Sequence, residues 1–138
     1  MVVDDEERDR RAMSRILRKE GYAVLEAVSY SDAMARFDLN REAVKLLVAD
    51  VSLPDGNGCA LAIAIRKQKP SLRVLLMAFE IGAQFCKSYG LRRTGLHFLG
   101  KPFDEDTLVN RVRKLFRSRT TFPRLAPKTM SASSVLAC

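Results

Sequence analysis

A chain of 138 residues with 47% hydrophobic and 29% charged side chains is long enough for one domain around one buried core and short for two. No apolar run approaches the roughly 18 residues that a bilayer span needs, and the densely charged first turns exclude a secretory signal. The net charge is +8, of which residues 117–138 supply half, through Arg117, Arg119, Arg124 and Lys128 with no acid, while the remaining +4 is spread over residues 1–116, where basic and acidic side chains are interleaved.

In chain order, Val2-Val3 is a very short apolar run that ends on Asp4-Asp5. Residues 6–21 predict a helix, with Ala12, Met13, Ile16 and Leu17 at helical spacing and acids in the first turn, where the helix dipole favours them. Gly21 is placed to stop it. Residues 23–28 predict a second strand, and Ser29 or Ser31 is a cap for a helix to about residue 40 with Ala33, Met34 and Phe37 inward. Residues 44–50 predict a third strand; its run LLVA is continuously apolar, as a strand covered on both faces is, and ends on Asp50. Pro54 and the Asp55-Gly56-Asn57-Gly58 cluster break the chain before a helix over residues 58–69, ended by Pro70.

A fourth apolar strand over residues 72–77 follows, then a weaker helix over residues 80–89 closed by Gly90. A short fifth strand covers residues 95–99. Gly100-Lys101-Pro102-Phe103 breaks the chain, with Pro102 a candidate for a cis peptide bond. Asp104 is placed to cap a last helix to about residue 117, with Leu108, Val112, Leu115 and Phe116 inside. Five alternations of strand and helix predict an α/β fold, a doubly wound parallel sheet with helices on both faces. Residues 1–117 form this domain; residues 118–138, rich in Ser, Thr and Pro, read as a disordered tail. Cys59, Cys86 and Cys138 have no metal-ligand spacing, and an odd, scattered count suits a reducing cytosol.

Asp4, Asp5 and Asp50 all fall at strand ends, on the edge where open α/β sheets bind ligands. Each also has a structural reading: Asp50 as a strand cap or Asx turn, Asp4-Asp5 as a helix cap with a first-turn acid. If the first and third strands are neighbours, the three carboxylates meet, and a site of like charges calls for a cation. Oxygen ligands suit Mg²⁺. Lys101, after the fifth strand, is either a surface turn residue or a cation delivered to the same edge.

The stretches VVDDEE, LLVADVSLPDGNG, RVLLMAF and FLGKPF together resemble the response-regulator receiver domain of two-component signalling, over about residues 1–117. The resemblance implies a flavodoxin-like five-stranded sheet of order 2-1-3-4-5. It implies that Asp50 accepts a phosphoryl group, that Asp5 holds Mg²⁺ with Asp4 as its companion, and that Ser52 offers a backbone carbonyl to the metal. Lys101 then contacts the phosphoryl group, and Phe98 occupies the aromatic switch position. The implied protein is cytoplasmic, receives its phosphoryl group from a histidine kinase or phosphotransfer protein, and acts on a downstream protein partner, with room for a weak homodimer. A stand-alone receiver is expected, catalysing at most its own phosphorylation and dephosphorylation.

Ala78 departs from the family, which carries Thr or Ser there to bond a phosphoryl oxygen. Phe79 stands where a small residue is usual, and either shields the acceptor from water or points into the core or solvent. The first strand is short, and the stretch Tyr89-Gly90-Leu91-Arg92-Arg93-Thr94-Gly95 is unusually basic. Ala78, Phe79 and the short first strand favour an alternative, a degenerate receiver that docks partners without phosphorylation, while the intact Asp4, Asp5, Asp50 and Lys101 disfavour it. Direct nucleic-acid binding is not expected, since no helix-turn-helix or aromatic stacking platform is recognisable. A haloacid-dehalogenase hydrolase would need an Asp-x-Asp pair, where Asp50-Val51-Ser52 ends on Ser.

Overall fold

The structure, a computed structural model, describes residues 1–79 and 96–117. Within them the order is β1 (Val2–Val3), α1 (Glu7–Lys19), β2 (Glu26–Ala27), α2 (Tyr30–Leu39), β3 (Leu46–Asp50), β4 (Ser52–Leu53), β5 (Gly56–Asn57), α3 (Gly58–Gln68), β6 (Arg73–Ala78), β7 (His97–Gly100) and α4 (Glu105–Arg117). The helix expected over residues 80–89, the basic stretch 89–95 and the tail 118–138 lie outside the described residues.

Five strands form one parallel sheet of order β2-β1-β3-β6-β7, the expected 2-1-3-4-5 order once the small β4–β5 hairpin is set aside. Alternation along the strands divides the core in two. Leu47, Ala49, Val74 and Leu76 face α2 and α3, meeting Phe37, Leu61 and Ile65. Leu46, Val48, Leu75 and Met77 face α1 and α4, meeting Met13, Leu17, Leu108 and Val112. Burial of β3 on both sides is why it reads as an unbroken apolar run.

Helix ends follow their side chains. Ser29 accepts from Asp32 N at 3.0 Å and Asn57 from Ala60 N at 2.8 Å, while Asp104 accepts from Thr107 N at 2.8 Å. Gly21, at φ +98°, closes α1, with its N–H on the Arg18 carbonyl. The Lys101–Pro102 peptide is cis.

Two expectations need correction. β2 covers only residues 26–27, not 23–28, because β1 offers only Val2 and Val3 to pair with Glu26 and Ala27. Secondly, residues 52–57 are not a simple break but an antiparallel hairpin, Ser52 opposite Asn57 and Leu53 opposite Gly56. Cys59, fully buried in the first turn of α3, is disulfide-bonded, which the reading of scattered cysteines did not anticipate.

Candidate functional site

The site forms at the carboxyl edge of the sheet. β1 pairs with β3 so that Val3 lies opposite Ala49, and the next residue along each strand is Asp4 and Asp50. On the other side β6 pairs with β7, Ala78 opposite Gly100, and the Lys101 N–H donates to the Ala78 carbonyl at 3.0 Å. From there the Lys101 side chain crosses the end of β6 and its ammonium pairs with Asp50 Oδ2. The same Nζ lies 3.8 Å from Asp4 Oδ2. The structure thus brings together Asp4, Asp50 and Lys101, residues 97 positions apart in sequence at the extreme.

Their environments differ. Asp4 is fully buried. Its Oδ1 accepts from Glu6 N at 2.9 Å, but Oδ2 has no hydrogen-bond partner. Burial pushes the Asp4 carboxyl up to about 6, with the Asp50 charge adding to it and the Glu6 N–H and Lys101 opposing it. For Lys101, burial alone would lower the ammonium, but the hydrogen bond and charge of Asp50, with Asp4 behind it, raise it above the usual lysine value. Asp5, beside Asp4, is exposed.

Asp50 is held from below. Its Oδ1 accepts from Ser52 N at 2.9 Å, and Val51 N donates to the Met77 carbonyl at 2.9 Å. The first residue of α3 is pressed against it: a Cβ on Gly58 would stand 2.4 Å from the Asp50 carbonyl oxygen and 3.2 Å from Val51 Cα. Only glycine lets the helix start this close to the acid, a role that its place in a turn cluster alone did not reveal. Sequence reasoning also missed Arg10. Its Nη1 donates to the Asp4 carbonyl at 3.1 Å and its Nε to Glu26 Oε1 at 3.1 Å, so α1 and β2 together fix the backbone of the acid pair. The available signal was the spacing from Asp4 to the second turn of α1, hidden among many basic residues.

Ala78 is buried and offers no hydroxyl. Phe79 resolves between its two readings in an unexpected way. It is 64% exposed, so it does not enter the core, yet Lys101 Nζ lies 5.7 Å from its ring centroid. Phe98 is half-buried, packs against the α2–α3 side of the core, and its carbonyl accepts from Arg111.

Among the described residues no three His, Cys, Asp or Glu side chains stand close enough to hold a metal ion by themselves. The donors nevertheless fit one. Asp4 Oδ2 is a buried carboxylate oxygen lacking a partner, and Asp50 beside it is a second oxygen donor. Hard divalent cations that retain water take such incomplete oxygen sets.

The sequence profile of the response regulator receiver domain matches residues 1–113. The probable transcriptional regulatory protein TcrX of Mycobacterium tuberculosis is 33% identical over 117 residues, covering 85% of this chain and 49% of TcrX, so the chain spans about half the length of that relative. Among solved structures, the receiver domain of the hybrid histidine kinase CckA is 31% identical with a TM-score of 0.70, covering 84% of this chain and 96% of that one. The receiver domain of NtrX from Brucella abortus is 29% identical with a TM-score of 0.74, over 86% and 98%. The profile, the relative and the sheet order agree, and the chain belongs to the response regulator receiver family of two-component signalling.

Proposed function

We propose that this receiver accepts a phosphoryl group on Asp50. The observation that carries the reading is the pairing of Asp50 with Lys101 beside a buried Asp4 oxygen that lacks a partner. An Asp50 carboxylate oxygen attacks the phosphorus. The bond from phosphorus to the donor breaks, the donor leaves with its electron pair, and an acyl phosphate remains on Asp50. Lys101, released from the carboxylate oxygen it now pairs with, neutralises charge on the transferring oxygens. Asp4, Asp5, Asp50 and the Ser52 carbonyl would hold Mg²⁺. When bound, that ion screens the phosphoryl oxygens from the acids around them.

Phe79 covers part of the site's mouth and limits access of water, prolonging the phosphorylated state. The donor is a histidine kinase or phosphotransfer protein. The output is a contact with another protein, biased through Phe98 and the loops around Asp50. Such a relay works in the cytoplasm. No helix among the described residues is long and apolar enough to cross a membrane.

Incubation with acetyl phosphate and Mg²⁺, followed by intact mass measurement, tests the reading. One added phosphate, absent in Asp50→Asn and without Mg²⁺, is expected. The missing hydroxyl at Ala78 favours a second reading, a docking module that works unphosphorylated; no adduct under any condition selects it.

A further inference from the structure

Ala78 and Phe79 together change the wall of the site that faces β6. Where a hydroxyl donor would stand there is a methyl group, and the next residue places an aromatic ring at the rim. The ring is not idle surface. Lys101 Nζ lies 5.7 Å from its centroid, inside the range at which a ring face attracts a cation. Phe79 is 64% exposed, while the Lys101 and Asp50 side chains are each only 13% exposed. The ring therefore meets solvent broadly while approaching an ammonium that is itself largely withdrawn from water.

The long lysine stem leaves the ammonium several rotamers to lose, and Phe79 restricts that choice. Three groups now define where Nζ sits: the Asp50 carboxylate, the more distant Asp4 carboxylate and the Phe79 ring. Phosphorylation of Asp50 changes the first of these. The Phe79 ring carries no charge and is not itself part of that change.

We infer that Phe79 is a positioning residue for Lys101, holding the ammonium over the acceptor by a cation–π contact rather than acting only as bulk at the mouth. This rests on the reading of Asp50 as the phospho-acceptor and goes beyond it: it specifies how a ring at this position promotes phosphoryl transfer.

The test separates ring from bulk with Phe79→Tyr, Phe79→Leu and Phe79→Ala; the side chain is exposed, so all three should fold. The first readout needs no phosphorylation. The ε-methylene protons of Lys101 should show a ring-current shift in the NMR spectrum of the full chain, retained in Phe79→Tyr and lost in Phe79→Leu. The second readout is the rate of Asp50 phosphorylation by acetyl phosphate at fixed Mg²⁺. Phe79→Leu and Phe79→Ala should both be slower, by about twofold to fivefold, the rate equivalent of an exposed cation–π contact. Phe79→Tyr should match the parent. A faster Phe79→Ala with an unchanged Phe79→Leu would reduce Phe79 to a steric gate and overturn the inference, as would the absence of a ring-current shift in the parent. If the parent takes no phosphoryl group, the reading of Asp50 falls, and the ring-current shift alone then decides whether Phe79 holds Lys101.

Discussion

Lys101 is shared unequally between two acids: its ammonium pairs with Asp50, while Asp4 Oδ2, 3.8 Å away, has no hydrogen-bond partner. One cation thus serves two carboxylates, and the buried one is the less satisfied. Burial raises the Asp4 carboxyl from 3.8 to about 6, so the folded state binds a proton there that the unfolded chain has already released. Stability from this group is fully present below pH 4 and lost as pH rises through 6, at a cost of about 2–3 kcal/mol by neutral pH. Asp4→Asn should therefore raise the melting temperature at pH 7.5 and weaken stabilisation by Mg²⁺. In the parent, the gain in melting temperature from 10-fold more Mg²⁺ should be larger at pH 7.5 than at pH 5. Equal gains at both pH values would mean that Asp4 is not a cation ligand.

Ala78→Thr is expected to strengthen the response to phosphorylation. The backbone at Ala78 is set by pairing with Gly100, and its carbonyl already receives the Lys101 N–H, so the position borders the cation that would contact the phosphoryl group. A hydroxyl there adds a donor to a charged acceptor, worth about 1–3 kcal/mol when the phosphoryl group is present. NMR shift changes on phosphorylation should become larger and spread further than in the parent. An unchanged set of shifts would show that the hydroxyl cannot reach the group.

The strand ends and the two core faces were legible because each depends on local periodicity. LLVA is apolar throughout since β3 is covered on both sides, and Asp4, Asp50 and Lys101 each lie next to a strand end that topology alone brings together. What the sequence concealed depends on contacts at a distance. Arg10 looked like one of many helix-surface cations, yet it donates to the Asp4 carbonyl. Phe79 could face inward or outward, and only the approach of Lys101 from β7 gives its exposed ring a charged neighbour. The β4–β5 hairpin was hidden because its anchor is remote: the Asp55 carboxylate accepts from Tyr30 N at 2.7 Å and Ser31 N at 3.0 Å, at the start of α2.

Gly58→Ala should damage the acceptor without touching any charged group. The new Cβ would lie 2.4 Å from the Asp50 carbonyl oxygen, which is backbone and cannot swing aside. Either α3 retreats or the Asp50 backbone shifts, at an overpacking cost of about 1–3 kcal/mol. A denaturant midpoint lowered by that amount, together with slower phosphorylation of Asp50, is expected. A variant as stable and as reactive as the parent would show that the loop has slack.

Lys69 ties the end of α3 to the chain leading into β3. Its ammonium donates to the carbonyls of Arg41, at 2.8 Å, and of Glu42 and Val44, and burial lowers its pKa. Lys69→Met keeps most of the stem and removes the donor, so the loss isolates these bonds. About 1–2 kcal/mol of stability should disappear, since charge-assisted bonds contribute more than neutral ones but this site is partly open to water. Phosphorylation chemistry at the opposite edge of the sheet should be unchanged, measured by the same mass assay. A simultaneous loss of both would point to unfolding rather than to the local tie.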